Sequence, residues 1–449
     1  MTLPDWLEDV DGIFVCVPDH VGRLSGKRIA AGRFPEVLAA GLPVPDFHLI
    51  TDLDLNPVSG LAASGSGSGY RNGLLMPLPH TLRRVPWDSS SGIVLADACR
   101  GAEDDRTLVS EAPRTILLRQ VERLRELGIS VVASTELEFY VFRTSYGDAW
   151  RRGYRGLPPY YHRRGDNDAL VTGFFEPFAG QVRAAARDLG FPAETTQGEG
   201  GPGQLEINFP PSDLLTVADS HVLYKHAVKA IAQAGDVAVT FMAKPLGQEA
   251  GSGCHLNLSL TDLQARSLMG ADGTVGEFFQ DERTRFFLAG LVGYSAELML
   301  MHAPFWNSYR RFNTAGMAPR YVSWGEDNRT VMTRIAGSGG SRRLELRVPG
   351  ADCNPYLSLA AAIAAGIAGI QNRLALPEPV SGDASGQPGL PVVPLDLTEA
   401  VAAFRQSAVA DVSFGGAVCA HILGHAEHEL ATVRSEVTDR ELIRGFESA

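Results

Sequence analysis

Thr135-Glu136-Leu137-Glu138-Phe139-Tyr140 lies within the run Ile129 to Phe142, which is rich in β-branched and aromatic residues. Such a run predicts a strand. Side chains two apart on a strand share a face, so Glu136 and Glu138 project to one side and Leu137 and Phe139 to the other. Two carboxylates about 6–7 Å apart on one strand face repel unless cations or protons neutralise them. Taken alone, the pattern fits an exposed edge strand equally well.

Working outward, Pro113 to Gly128 has helical periodicity, with Ile116, Leu117, Val121, Leu124 and Leu127 on one face. Downstream, helices are expected over Pro177 to Leu189, Ala218 to Ala234, Phe286 to Ala303, Tyr356 to Leu374, Val401 to His428 and Asp439 to Phe446. Strands are expected over Gln204 to Phe209 and Val237 to Met242, and Pro377 to Pro394 reads as a surface connection. Upstream, Gly12 to Val17 and Gly26 to Ile29 read as paired strands, Phe34 to Ala40 as a short helix, and Gly92 to Leu95 as a strand. Leu49 to Leu55 alternates apolar and acidic residues, as a half-buried strand does. Ser64 to Gly69 alternates Ser and Gly and is expected to be a flexible loop. Strands and helices follow one another irregularly rather than as a βαβ repeat, so the fold class is α+β, with a small, mostly β unit first.

The chain has 449 residues, a formal net charge of −12 and five scattered cysteines without a CxxC pair. An acidic surface argues against a nucleic-acid or anionic-membrane binder. The longest apolar candidate, Leu357 to Ile370, is Ala- and Gly-rich and shorter than the about 18–20 residues a bilayer span needs, so it is expected to be a buried helix. The first residues lack the basic start and apolar run of a secretory signal. A cytoplasmic location with free thiols follows as the expectation.

Three further segments carry ionisable faces. In Glu199-Gly-Gly-Pro-Gly-Gln204-Leu-Glu206-Ile-Asn208 a Gly/Pro turn leads into a strand with Glu206 and Asn208 on one face. In Gly251-Ser-Gly-Cys-His255-Leu-Asn257-Leu-Ser259, the polar residues His255, Asn257 and Ser259 alternate with leucines. In Arg342-Arg343-Leu-Glu345-Leu-Arg347, the face is Arg343, Glu345 and Arg347. Each alone has a bland reading: a turn, a structural histidine, a salt-bridged surface. Together they offer one polar sheet face with carboxylates, one imidazole and arginines. Carboxylates suit Mg²⁺ or Mn²⁺, and an imidazole favours Mn²⁺. Guanidinium groups beside such metals suit phosphoryl transfer.

These segments, with Asn307-Ser-Tyr-Arg-Arg311 and Trp324-Gly-Glu-Asp-Asn-Arg329 followed by Arg334, resemble in order the signature segments of class I glutamine synthetases. The resemblance implies a small N-terminal β-grasp-like domain (1–105) and a catalytic α+β domain (106–449) whose curved antiparallel sheet forms an active-site funnel. It implies ATP-dependent formation of γ-glutamyl phosphate, which an amine then displaces. Glu138, Glu199 and Glu206 would hold one metal, and Glu136, His255 and Glu345 another, with two or three Mg²⁺ or Mn²⁺ per site. Arg311, Arg347 and Gly251 would meet glutamate. Arg334, Arg343 and Ser259 would meet ATP, and Arg329 and Arg334 would serve the transferring phosphoryl group. Family members form stacked rings with sites between neighbouring subunits, so a dodecamer-like homo-oligomer is expected, without nucleic-acid or membrane partners.

The sequence departs from that pattern at the ammonia end. Met317 stands before Ala318-Pro319, where glutamine synthetases carry a Glu. The segment supplying the amine-site Asp is absent, leaving Asp52 or Asp54 as the nearest candidate, with Asp54 taken as the catalytic one. Pro77-Leu78 replaces the usual Pro-Asp, and Ala250 replaces the Asn before Gly-Ser-Gly. A thioether neither neutralises nor deprotonates ammonium, so the expected substrate is a larger amine: a polyamine, ethanolamine or another alkylamine. The alternatives are a glutamine synthetase using ammonia, a catalytically silent nucleotide-binding relative, and a ligase for a different acid.

Overall fold

The computed structural model describes residues 3–65, 67, 69–101, 105–270, 275–312 and 317–448. Part of Ser64 to Gly69, and most of the stretch between Phe312 and Met317, lie outside the described residues. The architecture is α+β, and two sheets organise it. The first is built from β1 (Gly12–Pro18), β2 (Leu24–Ala30), β3 (Leu42–Pro45), β4 (Asn72–Pro77), β5 (Arg83–Arg84), β6 (Ser91–Arg100) and β7 (Thr107–Leu108). Its order is β2-β1-β6-β4-β3, with β5 and β7 also pairing β6. Only the β1–β6 pair is parallel.

The second sheet contains β8 (Ile129–Phe142), β9 (Thr195–Gly198), β10 (Gln204–Asn208), β11 (Ser212–Asp213), β12 (Ala238–Thr240), β13 (Cys254–Asp262), β14 (Trp324–Glu326), β15 (Thr333–Ala336) and β16 (Arg343–Leu346). Its order is β14-β15-β16-β13-β8-β10-β9, with β11 and β12 also on β8. β8 has the bounds expected from its composition and lies at the centre. Leu137 and Phe139 face a core shared with the helix Leu214–Ala234, where the Phe139 and Tyr224 rings meet edge to face at 6.4 Å.

Behind this layer the helix Pro355–Gln371 is buried from Pro355 to Gly369. It can sit so close to the helix Glu282–Tyr294 because glycines line the contact: a Cβ on Gly366 would lie 2.1 Å from the Phe287 ring. Arg114 ties the two sheets' regions together. Its guanidinium reaches Asp97 on β6 at 2.9 Å and Asp219 at 3.0 Å, and Asp219 also accepts the Tyr356 hydroxyl at 2.6 Å. No single helix among the described residues is long and apolar enough to cross a membrane.

Several elements differ from expectation. Leu49 to Leu55 is not a strand. Asp46–Ile50 is a 3₁₀ turn, and the Asp52 carboxylate then accepts the amides of Asp54 (2.9 Å) and Asn56 (2.8 Å). A short acidic side chain that bonds its own backbone competes with a sheet ladder, and Leu55 adopts φ +66°. Gly92 to Leu95 is the start of a longer strand, β6. Phe286 to Ala303 is two helices, Glu282–Tyr294 and Met299–His302; the break lets Glu297 accept the Ser407 hydroxyl at 2.7 Å. Val401 to His428 is likewise divided: Leu397–Gln406 ends where the Ser407 hydroxyl caps Ala408–Ser435 at the Ala410 amide, and that second stretch is itself kinked at Gly415, whose φ of +76° is non-helical.

Candidate active site

The antiparallel register of the second sheet assembles the site. Glu206 on β10 pairs with Glu138 on β8, and Gln197 on β9 lies beyond Glu206. One row over, Asn208, Glu136 and His255 are cross-strand neighbours on β10, β8 and β13. On the far side Asn257, Glu345 and Arg334 align across β13, β16 and β15. Neighbours in such rows stand about 4.5–5.5 Å apart. All but Asn257 line one cavity of about 1140 Å³. That volume exceeds the roughly 300–1,000 Å³ of pockets for one small ligand, so it has room for a nucleotide and an amino acid together.

The first cluster comprises Glu138, Glu199 and Glu206. Glu138 accepts the Gln204 amide and the Gly253 backbone N–H, each at 3.0 Å. Gln197 donates to Glu199 at 3.0 Å and to Glu206 at 3.2 Å, and Asn208 donates to Glu206 at 2.7 Å. Burial, then the charges of Glu138 and Glu199, pushes the Glu206 carboxyl up to about 9. Burial and Glu138 likewise push Glu199 up to about 7. These acids are too close to ionise together without a positive charge among them.

The second cluster comprises Glu136, His255 and Glu345, whose nearest ligand atoms all lie within 4.8 Å of one another. His255 Nδ1 is 3.1 Å from Glu136 and 3.7 Å from Glu345. Burial raises Glu136, but the His255 contact, the Asn257 amide at 2.9 Å and Arg343 outweigh it and hold the carboxyl down at about 2. Gly253 is required here: an added Cβ would lie 2.8 Å from the Arg311 guanidinium and 3.2 Å from His255. The first donor set is all carboxylate and the second adds a single imidazole; both fit divalent cations of the Mg²⁺ or Mn²⁺ class.

Arginines ring the clusters. Arg343 donates to Asn257 at 2.7 Å and sits 3.8 Å from Glu136. Arg334 bridges Glu345 (2.9 Å) and Asp327, and Arg347 bridges Glu345 (2.9 Å) and the Met317 carbonyl (3.3 Å). The Nε of Arg334 and of Arg347 are buried donors with no partner among the described residues, as expected where an anion is to be received. Arg311 is buried with both terminal nitrogens donating to the backbone carbonyls of Val348 (2.8 Å) and Arg347 (3.0 Å), so it braces the cavity wall. Arg329 and Gly251 line the cavity, as does the exposed Met317.

Two expected residues stand apart. Ser259 lies on the same face of β13 as His255 but outside the cavity lining, 3.4 Å from the Arg342 carbonyl. Asp54 is on an exposed turn and does not line the cavity of its own chain. Sequence reasoning passed over Gln197, Gln204 and Asp327. Gln204 is buried and reaches Glu138, the Gly251 carbonyl and Ser252 with one amide nitrogen. The signal was its place beside Glu206 at the mouth of a Gly-rich turn, where a neutral amide looks unremarkable.

Comparison with known proteins identifies the family. Residues 110–444 match the family described as glutamine synthetase, catalytic domain. The chain is 41% identical to the γ-glutamylethanolamide synthetase GlnA4 of Streptomyces coelicolor, across 98% of this chain and 93% of that one. It is 33% identical to a glutamate–isopropylamine ligase of a Pseudomonas species, across 98% and 96%. The solved GmaS/ADP complex superposes with a TM-score of 0.84 at 25% identity, covering 98% of this chain and 97% of that one. With its paired carboxylate clusters and the match over most of its length, the chain belongs to the glutamine synthetase family.

Proposed function

We propose that this protein is an ATP-dependent carbon–nitrogen ligase that joins the γ-carboxylate of glutamate to an organic amine, a polyamine, ethanolamine or alkylamine, through γ-glutamyl phosphate. The observation that carries the reading is a complete metal-and-arginine cavity whose amine end carries Met317 in place of an acidic residue. The names of its relatives, an ethanolamide synthetase and an isopropylamine ligase, point the same way.

Enzymes of this family use ATP and divalent metals, which when bound supply the phosphoryl group and neutralise its charge. Glu138, Glu199 and Glu206 are suited to hold the ion nearer glutamate, and Glu136, His255 and Glu345 the one nearer the nucleotide. Gln204, Gln197, Asn208 and Asn257 fix the carboxylate orientations, so little reorganisation is needed when charge develops. Arg343 and Arg334 face the phosphates, and Arg329 the transferring group. Arg347 meets the carboxylates of glutamate, Arg311 holds the wall behind it, and the Gly251 carbonyl lies near the amino group. Asp54 is assigned to the amine side of a neighbouring subunit's site in a ring-shaped homo-oligomer, with residues 1–105 and 106–449 as the two domains.

The test is phosphate release with ATP, glutamate and Mg²⁺ or Mn²⁺ against a panel of ammonia, ethanolamine, putrescine, spermidine and short alkylamines. An organic amine should surpass ammonia in kcat/KM. Equal or faster turnover with ammonia overturns the amine assignment in favour of glutamine synthesis, and no release with any amine overturns the ligase itself.

A further inference from the structure

Away from the cavity, three histidines meet where the N-terminal sheet touches the helix Ala408–Ser435. His20 follows β1, and His421 and His425 lie one turn apart on Ala408–Ser435. All three are buried, with 8%, 2% and 8% of their surfaces exposed. Residues four apart on a helix share a face, so His421 and His425 present two imidazoles together to the third. Each ring offers a nitrogen within 4.8 Å of the others.

Their hydrogen bonding is incomplete. His20 Nδ1, both nitrogens of His421 and His425 Nε2 are buried with no partner among the described residues. The backbone of Leu49 lies beside the His425 ring. Burying unpaired imidazole nitrogens is costly, and a buried group left unsatisfied calls for an unseen water or ion. The ionisable neighbours named beside the rings include Glu111, Arg100 and His428. Glu111 thus offers a carboxylate close to a cation held by these rings.

We propose that His20, His421 and His425 form a second, structural metal site for a borderline divalent cation of the zinc class. Three neutral nitrogens exclude Mg²⁺ and Ca²⁺, which take oxygen ligands, and suit a tetrahedral Zn²⁺ with water as the fourth ligand. Zn–N bonds of about 2.0–2.1 Å put tetrahedral nitrogens about 3.4 Å apart. The rings of His20 and His425 stack with centroids 3.7 Å apart and planes 6° apart, and His421 stands edge-on to both. Binding thus requires one stacked ring to turn about its Cβ–Cγ bond so that the lone pairs converge. The ion would join the end of β1 to the helix Ala408–Ser435. His428, on the same helix face, already contacts Asp52 at 3.0 Å.

The test uses the full chain, stripped with a chelator and returned to saturating Mg²⁺ so that the carboxylate clusters are filled. Titration with Co²⁺ should show about one equivalent with the intense visible absorption of tetrahedral nitrogen ligation. Zn²⁺ should displace it and raise the unfolding temperature beyond what Mg²⁺ gives. His421→Gln/His425→Gln should lose the absorption and the thermal gain, whereas His255→Asn should keep both. Absence of the Co²⁺ signal from the wild-type chain overturns the proposal, as does its loss in His255→Asn. Should the double variant fold poorly, anomalous scattering from Zn²⁺-soaked wild-type crystals decides. A peak among the three rings supports the site, and no peak there refutes it.

Discussion

Glu206 and Glu138 are register partners on β10 and β8, so two carboxylates stand side by side on adjacent strands of one buried face. The Glu138 charge raises the proton affinity of Glu206 and of Glu199, and under the metal assignment proposed above a bound cation would take the place of those protons.

This makes metal binding and stability depend on pH in a defined direction. Glu206 at about 9 and Glu199 at about 7 lie above the ordinary 4.5 of the unfolded chain. Groups raised by folding contribute stability below the unfolded value, and that contribution is lost as pH rises through the folded values. Metal-free protein should therefore weaken between about pH 4.5 and 9, and the gain in unfolding temperature from Mg²⁺ or Mn²⁺ should grow over the same window. A metal increment that is flat with pH in thermal scans would contradict the cluster's assignment.

Glu206→Gln separates the two consequences of that crowding. It should lower kcat/KM by about 10²-fold or more through loss of a ligand. At neutral pH it should also make the metal-free protein more stable, since the cost of keeping that carboxyl protonated, which the unfolded chain does not bear, is gone. Loss of both activity and stability would mean that Glu206 serves the fold instead.

Gln204→Ala tests a residue that touches no reacting atom. Releasing the carboxylate of Glu138 should weaken metal binding by about 10–100-fold, with activity recovered at high Mn²⁺. If excess metal brings no recovery, Gln204 does not act through the ligand.

Met317→Glu should shift the preference toward ammonia, raising kcat/KM for ammonia relative to ethanolamine, because a carboxylate at the cavity mouth attracts a small cation. An unchanged ratio in the amine panel would remove Met317 from the specificity argument.

Gly366→Ala probes the helix contact behind the sheet. An added methyl meets the Phe287 ring at 2.1 Å, and overpacking of this kind costs about 1–3 kcal/mol. A drop in unfolding temperature with near-normal kcat is expected.

The sheet was legible because its chemistry alternates. Along β8, Glu136 and Glu138 alternate with Leu137 and Phe139, and the same period in β10, β13 and β16 marks the strands that bring their ligands to one face. The pairing between strands was not legible, since register depends on contacts far apart in sequence, such as His255 against Glu136. The Thr51–Leu55 region misled for a local reason: alternation suggested a strand, while the Asp52 side chain bonded its own turn. The tethering of Arg311 by carbonyls was likewise hidden, because nothing in Asn307-Ser-Tyr-Arg-Arg311 records which backbone oxygens will be free nearby.

The strand register also separates what this scaffold can change from what it must keep. A one-residue slip in β8 would turn Leu137 and Phe139 inward and send both glutamates into the core, so insertions there abolish the phosphate chemistry outright. Met317 and Asp54 lie outside the strands. Loops of that kind tolerate substitution and changes of length, so descendants of this chain can acquire new amine partners while the machinery that activates the acid stays untouched.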